Sequence, residues 1–165
     1  MYYQDVFTIL NEKNVRYVVI GGIALVLHGV LRMTVDLDLI IDLEEGNIDR
    51  FLSAMKSLGY KPKIPVSPEE LKDPSKRKEW KEKKNMIVFS FFNPKKPFQV
   101  IDILLENPIP FDEIDKEKII ISAKGISIPI VSREHLKKLK RLSGRPQDLV
   151  DIDALEDLED IEKND

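Results

Sequence analysis

Residues 35–41 read Val-Asp-Leu-Asp-Leu-Ile-Ile, and no other stretch constrains the fold of this chain as strongly. The run is apolar and of strand length, yet it carries Asp36 and Asp38. Aspartate is disfavoured inside strands, and burying an unpaired carboxylate is costly. Two residues apart on a strand, the side chains share one face and bring two negative charges close together. Each then raises the other's pKa unless a cation intervenes. A hard divalent cation resolves the conflict, and oxygen-only ligands select magnesium or manganese. Asp102 repeats the anomaly within Val100-Ile101-Asp102-Ile103-Leu104. If the two strands are neighbours, three carboxylates converge and could hold two metal ions. The ordinary reading of one such aspartate is a strand end or an ion pair, and for one alone it is preferred. The pair together with a third reverses that preference. Asp42, before Leu43-Glu44-Glu45-Gly46, reads as a turn residue.

The rest of the chain supplies the layers such strands need. Val6, Ile9 and Leu10 have helical spacing, which predicts a helix from about Tyr3 to Lys13. Tyr17 to Ile20 is a buried strand candidate, broken by Gly21-Gly22 and followed by a short apolar helix from Ile23 to His28, with Gly29 closing it. Ile48, Phe51, Leu52, Met55 and Leu58 form an amphipathic stripe stopped by Gly59. Ser67-Pro68-Glu69-Glu70 has the form of a capping box, and Asp73-Pro74 opens a helix running to Lys84. Met86 to Phe92 and Phe98 to Leu105 read as an antiparallel hairpin. Ile119 to Ile121 and Ile126 to Val131 are short strands around Lys124-Gly125. Ser132 caps a helix to about Leu142, and Pro146 opens a last one to about Ile161. The order predicts an α/β (α+β) fold, with helices packed on a mixed sheet. Its 165 residues fit one domain, with a core over about 15–131 and a helical part over about 132–162.

Composition removes several chemistries. Cysteine is absent, which excludes disulfides, thiolate zinc sites and cysteine nucleophiles. The net charge of -3 does not advertise a nucleic-acid binder, although local patches rather than totals decide that. The longest apolar runs are of strand length, so no membrane span is expected, and a cytoplasmic setting is the default.

Gly21-Gly22 adds a second chemical element. A glycine pair between strand and helix lets a phosphate approach the backbone, where the helix offers unpaired N–H groups. Taken alone, it is more simply a tight turn. The chain has no Walker sequence, so this is not a P-loop.

Together these residues resemble a known pattern. Ile20-Gly21-Gly22, then Asp36-Leu37-Asp38-Leu39, then Asp102 on a later apolar strand resembles the signature of DNA polymerase β-type nucleotidyltransferases. The segment from Gly21 to Asp38 is similar to a minimal prokaryotic branch that includes AbiEii-type toxins. So is the end of the chain, with Lys140 followed by Gly144-Arg145-Pro146-Gln147-Asp148-Leu149-Val150-Asp151-Ile152. That branch usually has lysine where this chain has Gln147. The likeness spans about Val18 to Ile152, with a poorly matched middle near 61–84. It implies a nucleotidyltransferase fold and a metal-dependent transfer of a nucleoside monophosphate from an NTP to a hydroxyl acceptor, releasing pyrophosphate. Asp36 and Asp38 would bind both Mg2+ (or Mn2+) ions, and Asp102 would bind the one that activates the acceptor and could serve as its base. Gly21 and Gly22 would hold the triphosphate. RNA, protein and small molecules all occur as acceptors in this superfamily, and a toxin–antitoxin partner protein is implied as well.

Other residues are secondary candidates. Arg32 and Thr34 precede the acidic strand and could contact phosphates, or merely shape the loop. Lys140 and Arg145 could reach the nucleotide from the terminal helices, with Asp148 orienting one of them; a solvated ion-paired helix is the competing account. His28 is explained by its place at a helix end. The basic run 76–84 with Trp80 could bind RNA by phosphate contact and stacking, although such a run is more often an exposed face. The non-enzymatic alternative is a nucleotide-binding or interaction module. Glycosyltransferases with Asp-x-Asp need more chain before the motif, and haloacid-dehalogenase phosphatases lack the upstream glycine pair.

Overall fold

A computed structural model describes residues 1–165. In chain order its elements are α1 (Gln4–Glu12), β1 (Tyr17–Ile20), α2 (Gly21–His28), β2 (Leu37–Ile41), α3 (Glu45–Ser57) and β3 (Lys61–Pro62). A 3₁₀ turn (Pro68–Lys72) then leads to α4 (Pro74–Lys84), β4 (Val88–Asn93), β5 (Lys96–Leu104) and α5 (Phe111–Glu117). The chain finishes with β6 (Ile119–Ala123), β7 (Ile126–Ile130), α6 (Arg133–Ser143) and α7 (Pro146–Lys163). Seven strands form one mixed sheet in the order β3-β4-β5-β2-β1-β7-β6. The acidic strand β2 is at its centre, parallel to β5 and antiparallel to β1. This is the α/β arrangement that the alternation of patterns predicts. No helix is long and apolar enough to cross a membrane.

The pleat separates a greasy face from a chemical one. Leu37 and Leu39 point to one side, level with Ile101 and Ile103 of β5, which in turn face Phe91 and Phe89 of β4. All six are essentially inaccessible to water. Phe51 of α3 meets Phe91 edge-on at 5.6 Å, and Trp80 of α4 packs on Phe89 at 5.5 Å. Each such side chain contributes about 1.5–3 kcal/mol by leaving water, so this side of the sheet is anchored. Asp38, Asp102 and Ser90 point to the other side.

Local chemistry explains where elements begin and end. Glu44 caps α3, its carboxylate accepting from the N–H groups of Gly46 and Asn47, and Ser132 caps α6 by accepting from His135 N–H at 3.1 Å. The β6–β7 hairpin turns on Lys124 and Gly125, both at positive φ. Several boundaries differ from the sequence expectation. The ladder of β2 starts at Leu37, because the carbonyl of Val35 accepts a hydrogen bond from Tyr3 Oη instead. Gly21 and Gly22 are not a break before α2 but its first two residues. The β4–β5 hairpin is tighter than expected, with Asn93 paired to Lys96. Ser67 makes no side-chain cap, and the proline-led segment after it is a 3₁₀ turn. Two elements, β3 and α5, have no counterpart in the pattern, being only 2 and 7 residues long.

Candidate active site

The acidic residues are positioned by register. Ile20 of β1 pairs with Asp38 of β2, Asp38 with Asp102 of β5, and Asp102 with Ser90 of β4. The row continues to Lys63, whose N–H donates to the Ser90 carbonyl at 2.9 Å. Four strands and the segment after β3 thus place Asp38 and Asp102 side by side on one face. Ser90 donates its hydroxyl to Asp102 Oδ1 at 2.5 Å, fixing that carboxylate. Asp36 lies one residue ahead of β2 and is exposed. The three acids do not form a ready-made cage of three ligands. Asp38 and Asp102 share the sheet, while Asp36 lies on the connecting segment, near enough for its charge to act on both.

The electrostatics carry the strain of this placement. Burial, then the charges of Asp102 and Asp36, push the Asp38 carboxyl up to about 7, against the opposing pull of Lys140 and Arg145. Asp102 is raised by burial and by Asp36, while the Ser90 hydrogen bond and the charge of Lys63 work the other way. No basic side chain forms an ion pair with any of the three, whose cations sit in other pairs. An oxygen-only set of carboxylates, two half-buried and one exposed, with no protein cation paired to them, fits a hard divalent ion. Asp38 and Asp102, with Asp36 beside them, are the residues that could hold one.

Both glycines of the α2 start are required by what faces them. A Cβ on Gly21, which has φ +68°, would stand 2.3 Å from Asp38 Oδ2. A Cβ on Gly22 would stand 2.5 Å from Thr34 Oγ1. The first turn of α2 is therefore packed directly on Asp38 and on Thr34, and its first N–H groups have no partner within the helix.

The predicted cations are gathered at one place. Asp151 of α7 accepts from Arg32 at 2.7 Å and from Lys140 at 2.8 Å, while Gln147 donates to its other oxygen at 3.0 Å. Lys140 also reaches Asp148 at 3.3 Å, and Arg145 donates to Asp148 through its backbone N–H and its Nε, both at 3.0 Å. Lys140, Asp148 and Asp151 are buried. Burial alone would raise Asp148, but hydrogen bonds from Arg145 and Ser143 and the charge of Lys140 hold it well below the ordinary carboxylate range. Arg32, Lys140 and Arg145 thus belong to a single network beside the carboxylates.

Three further residues were not singled out from the sequence: Ser90, Lys63 and Tyr3. Only their cross-strand contacts mark them. Trp80, considered for stacking on RNA, is instead buried at 3% exposure against Phe89 and unavailable to a base. His28 donates from Nε2 to the Val131 carbonyl, 2.7 Å away, a structural contact. An open groove of about 510 Å³ beside α1 and Lys96 does not include the carboxylates in its lining.

Solved structures share this fold. A lincosamide antibiotic adenylyltransferase, LnuA, crystallised with lincomycin, is 19% identical, with 93% of this chain and 95% of that one covered at a TM-score of 0.57. A candidate nucleotidyltransferase from Thermotoga maritima is 15% identical over 98% and 91% of the two chains, with a TM-score of 0.58. ANT(2")-Ia, in complex with adenylyl-2"-tobramycin, is 12% identical over 92% and 83%, at 0.56. The sheet and the helices on it are thus those of the nucleotidyltransferase fold. No protein with a curated description matches the sequence significantly. The family described as nucleotidyl transferase AbiEii toxin, Type IV TA system, matches residues 8–165, and the chain belongs to that family.

Proposed function

We propose that this nucleotidyltransferase moves a nucleoside monophosphate from an NTP to a hydroxyl acceptor, with release of pyrophosphate and with dependence on Mg2+ or Mn2+. The observation that carries this reading is the register pairing of Asp38 with Asp102 at the foot of the Gly21 turn. Bound divalent ions would supply charge neutralisation to the attacking and leaving oxygens. Asp38 and Asp102 would hold them, assisted by Asp36. Ser90 keeps Asp102 oriented toward the acceptor side, where its carboxylate can take the hydroxyl proton. Gly21 and Gly22 give the triphosphate access to the backbone N–H groups of α2. Arg32, Thr34, Lys140 and Arg145 line the side from which the phosphates would approach, and Asp148 and Asp151 keep the cations pointed there. Such a reaction relies on positioning and charge compensation rather than on a protein nucleophile. The family's description also supports a partner protein of the antitoxin kind.

The test is incubation of the protein with each labelled NTP, Mg2+ or Mn2+, and separate pools of tRNA, protein and small-molecule acceptors. Incorporation with pyrophosphate release is expected. Asp102→Asn should reduce it by about a hundredfold or more while changing nucleotide affinity far less. Nucleotide binding without transfer in every pool, equally in wild type and Asp102→Asn, would instead establish a binding module.

A further inference from the structure

Tyr3 stands where the pairing of β2 with β5 ends. The ladder joins Leu37, Asp38 and Leu39 to Ile101, Asp102 and Ile103 and goes no further toward the N-terminal ends of the two strands. The Tyr3 hydroxyl occupies the next position. It lies 2.6 Å from the Val35 carbonyl and 3.1 Å from the Val100 carbonyl, and accepts from Val100 N–H at 3.1 Å. A hydroxyl has one proton to give, and the short contact to Val35 takes it. The side chain is 1% exposed, so water does not compete for these bonds. Tyr3 also has φ 61°, a left-handed backbone that is rare for an aromatic residue. Its carbonyl accepts from Phe7 N–H at 3.0 Å, and α1 is anchored by the buried Val6, Phe7 and Leu10.

Val35 immediately precedes Asp36, and Val100 lies two residues before Asp102 on the same pleat. Asp36 is exposed and takes part in no ion pair; it is held to β5 on one side by Leu37, paired with Ile101, and on the other by the Val35 carbonyl, which Tyr3 joins to Val100. We infer that Tyr3 is a positioning residue whose buried hydroxyl splices Val35 to Val100 and thereby sets the separation of Asp36 from Asp102. This role rests on the function proposed above. It gives the exposed member of the acidic set a fixed place without a cation of the protein touching it.

The experiment compares wild type, Tyr3→Phe and Tyr17→Phe. Tyr17 is equally buried and loses a comparable bond, to Asn11 Oδ1 at 2.9 Å, at the far end of β1. Each full-length protein is followed by thermal unfolding, by amide exchange at Val100, and by EPR titration of Mn2+ in the presence of a non-hydrolysable ATP analogue. Tyr3→Phe should speed exchange at Val100 by roughly tenfold and weaken Mn2+ binding by about 10- to 100-fold. Tyr17→Phe, with a matched loss of stability, should leave both at wild-type values. Unchanged exchange at Val100 would show that the splice does not exist. Faster exchange with unchanged Mn2+ affinity would reduce Tyr3 to a structural residue. If wild type protects Val100 but binds neither Mn2+ nor nucleotide, the proposed function fails and takes the positioning role with it, while the splice stands.

Discussion

Asp38 shows how a single side chain records a trade between stability and chemistry. Its carboxyl, shifted from 3.8 to about 7 first by burial and then by Asp102 and Asp36, holds its proton more tightly in the folded chain than in the unfolded one. Its contribution to stability is therefore full below about pH 4 and is lost as the pH rises through about 7. In EDTA, Asp38→Asn should remove that loss, and become more stable than wild type at pH 8 by about 2–4 kcal/mol but not at pH 4. Urea unfolding at the two pH values checks this; an equal difference at both would mean that Asp38 has an ordinary pKa. Gly21 offers a second residue-scale experiment. Gly21→Ala and Gly125→Ala both place a methyl at positive φ, but only the first meets Asp38, the second having nothing within 4 Å. Gly125→Ala should lose about 1–2 kcal/mol of stability, and Gly21→Ala more than that, because Asp38 must move as well. Only Gly21→Ala should also lower transfer, by about a hundredfold, since a displacement of about 1 Å suffices for that. Equal activity in the two variants would separate the α2 turn from the chemistry.

At the scale of elements, α6 and α7 behave as one unit because the buried Lys140 lies between Asp148 and Asp151. Removing one partner of a buried ion pair leaves an uncompensated charge, and Asp151→Ala also strips Arg32 of its partner. A loss of about 3–5 kcal/mol is expected. Arg141→Ala, which breaks only the exposed 3.9 Å contact with Glu156, should cost less than about 1 kcal/mol. Equal midpoints in denaturant for the two variants would deny the network its role. These helices are legible in the sequence, α3 by its apolar stripe and α6 and α7 by Ser132 and Pro146 at their starts. The short α5 was not, having only Phe111 and Ile114 to bury. Trp80 misled because one aromatic in a basic run looks exposed, whereas it is the single buried residue of α4.

For the whole molecule, what the sequence reveals depends on whether a role is local. A carboxylate inside an apolar run is anomalous by itself, so Asp38 and Asp102 stood out before any contact was known. Their pairing required the β2–β5 register, which brings together residues 64 positions apart in sequence. Ser90, Lys63 and Tyr3 are unremarked in their own segments and acquire their roles only across strands. Tyr3 meets Val100 over a separation of 97 residues. Asp36 fell on the wrong side of the strand boundary because its neighbour's carbonyl is claimed by that distant tyrosine, which no local pattern encodes. The cations Arg32, Lys140 and Arg145 could be suspected individually, but not that two carboxylates on one helix would collect them.

That collection has a consequence for synthesis. Arg32 emerges early from the ribosome, and its partner Asp151 follows 119 residues later. All residues of β2, β5 and the acidic row are made before it, yet the cations beside that row have no carboxylates to orient them until α7 is made. A nascent chain therefore carries its acidic residues long before it carries a completed charge arrangement. Competence arrives late and all at once, with the last helix.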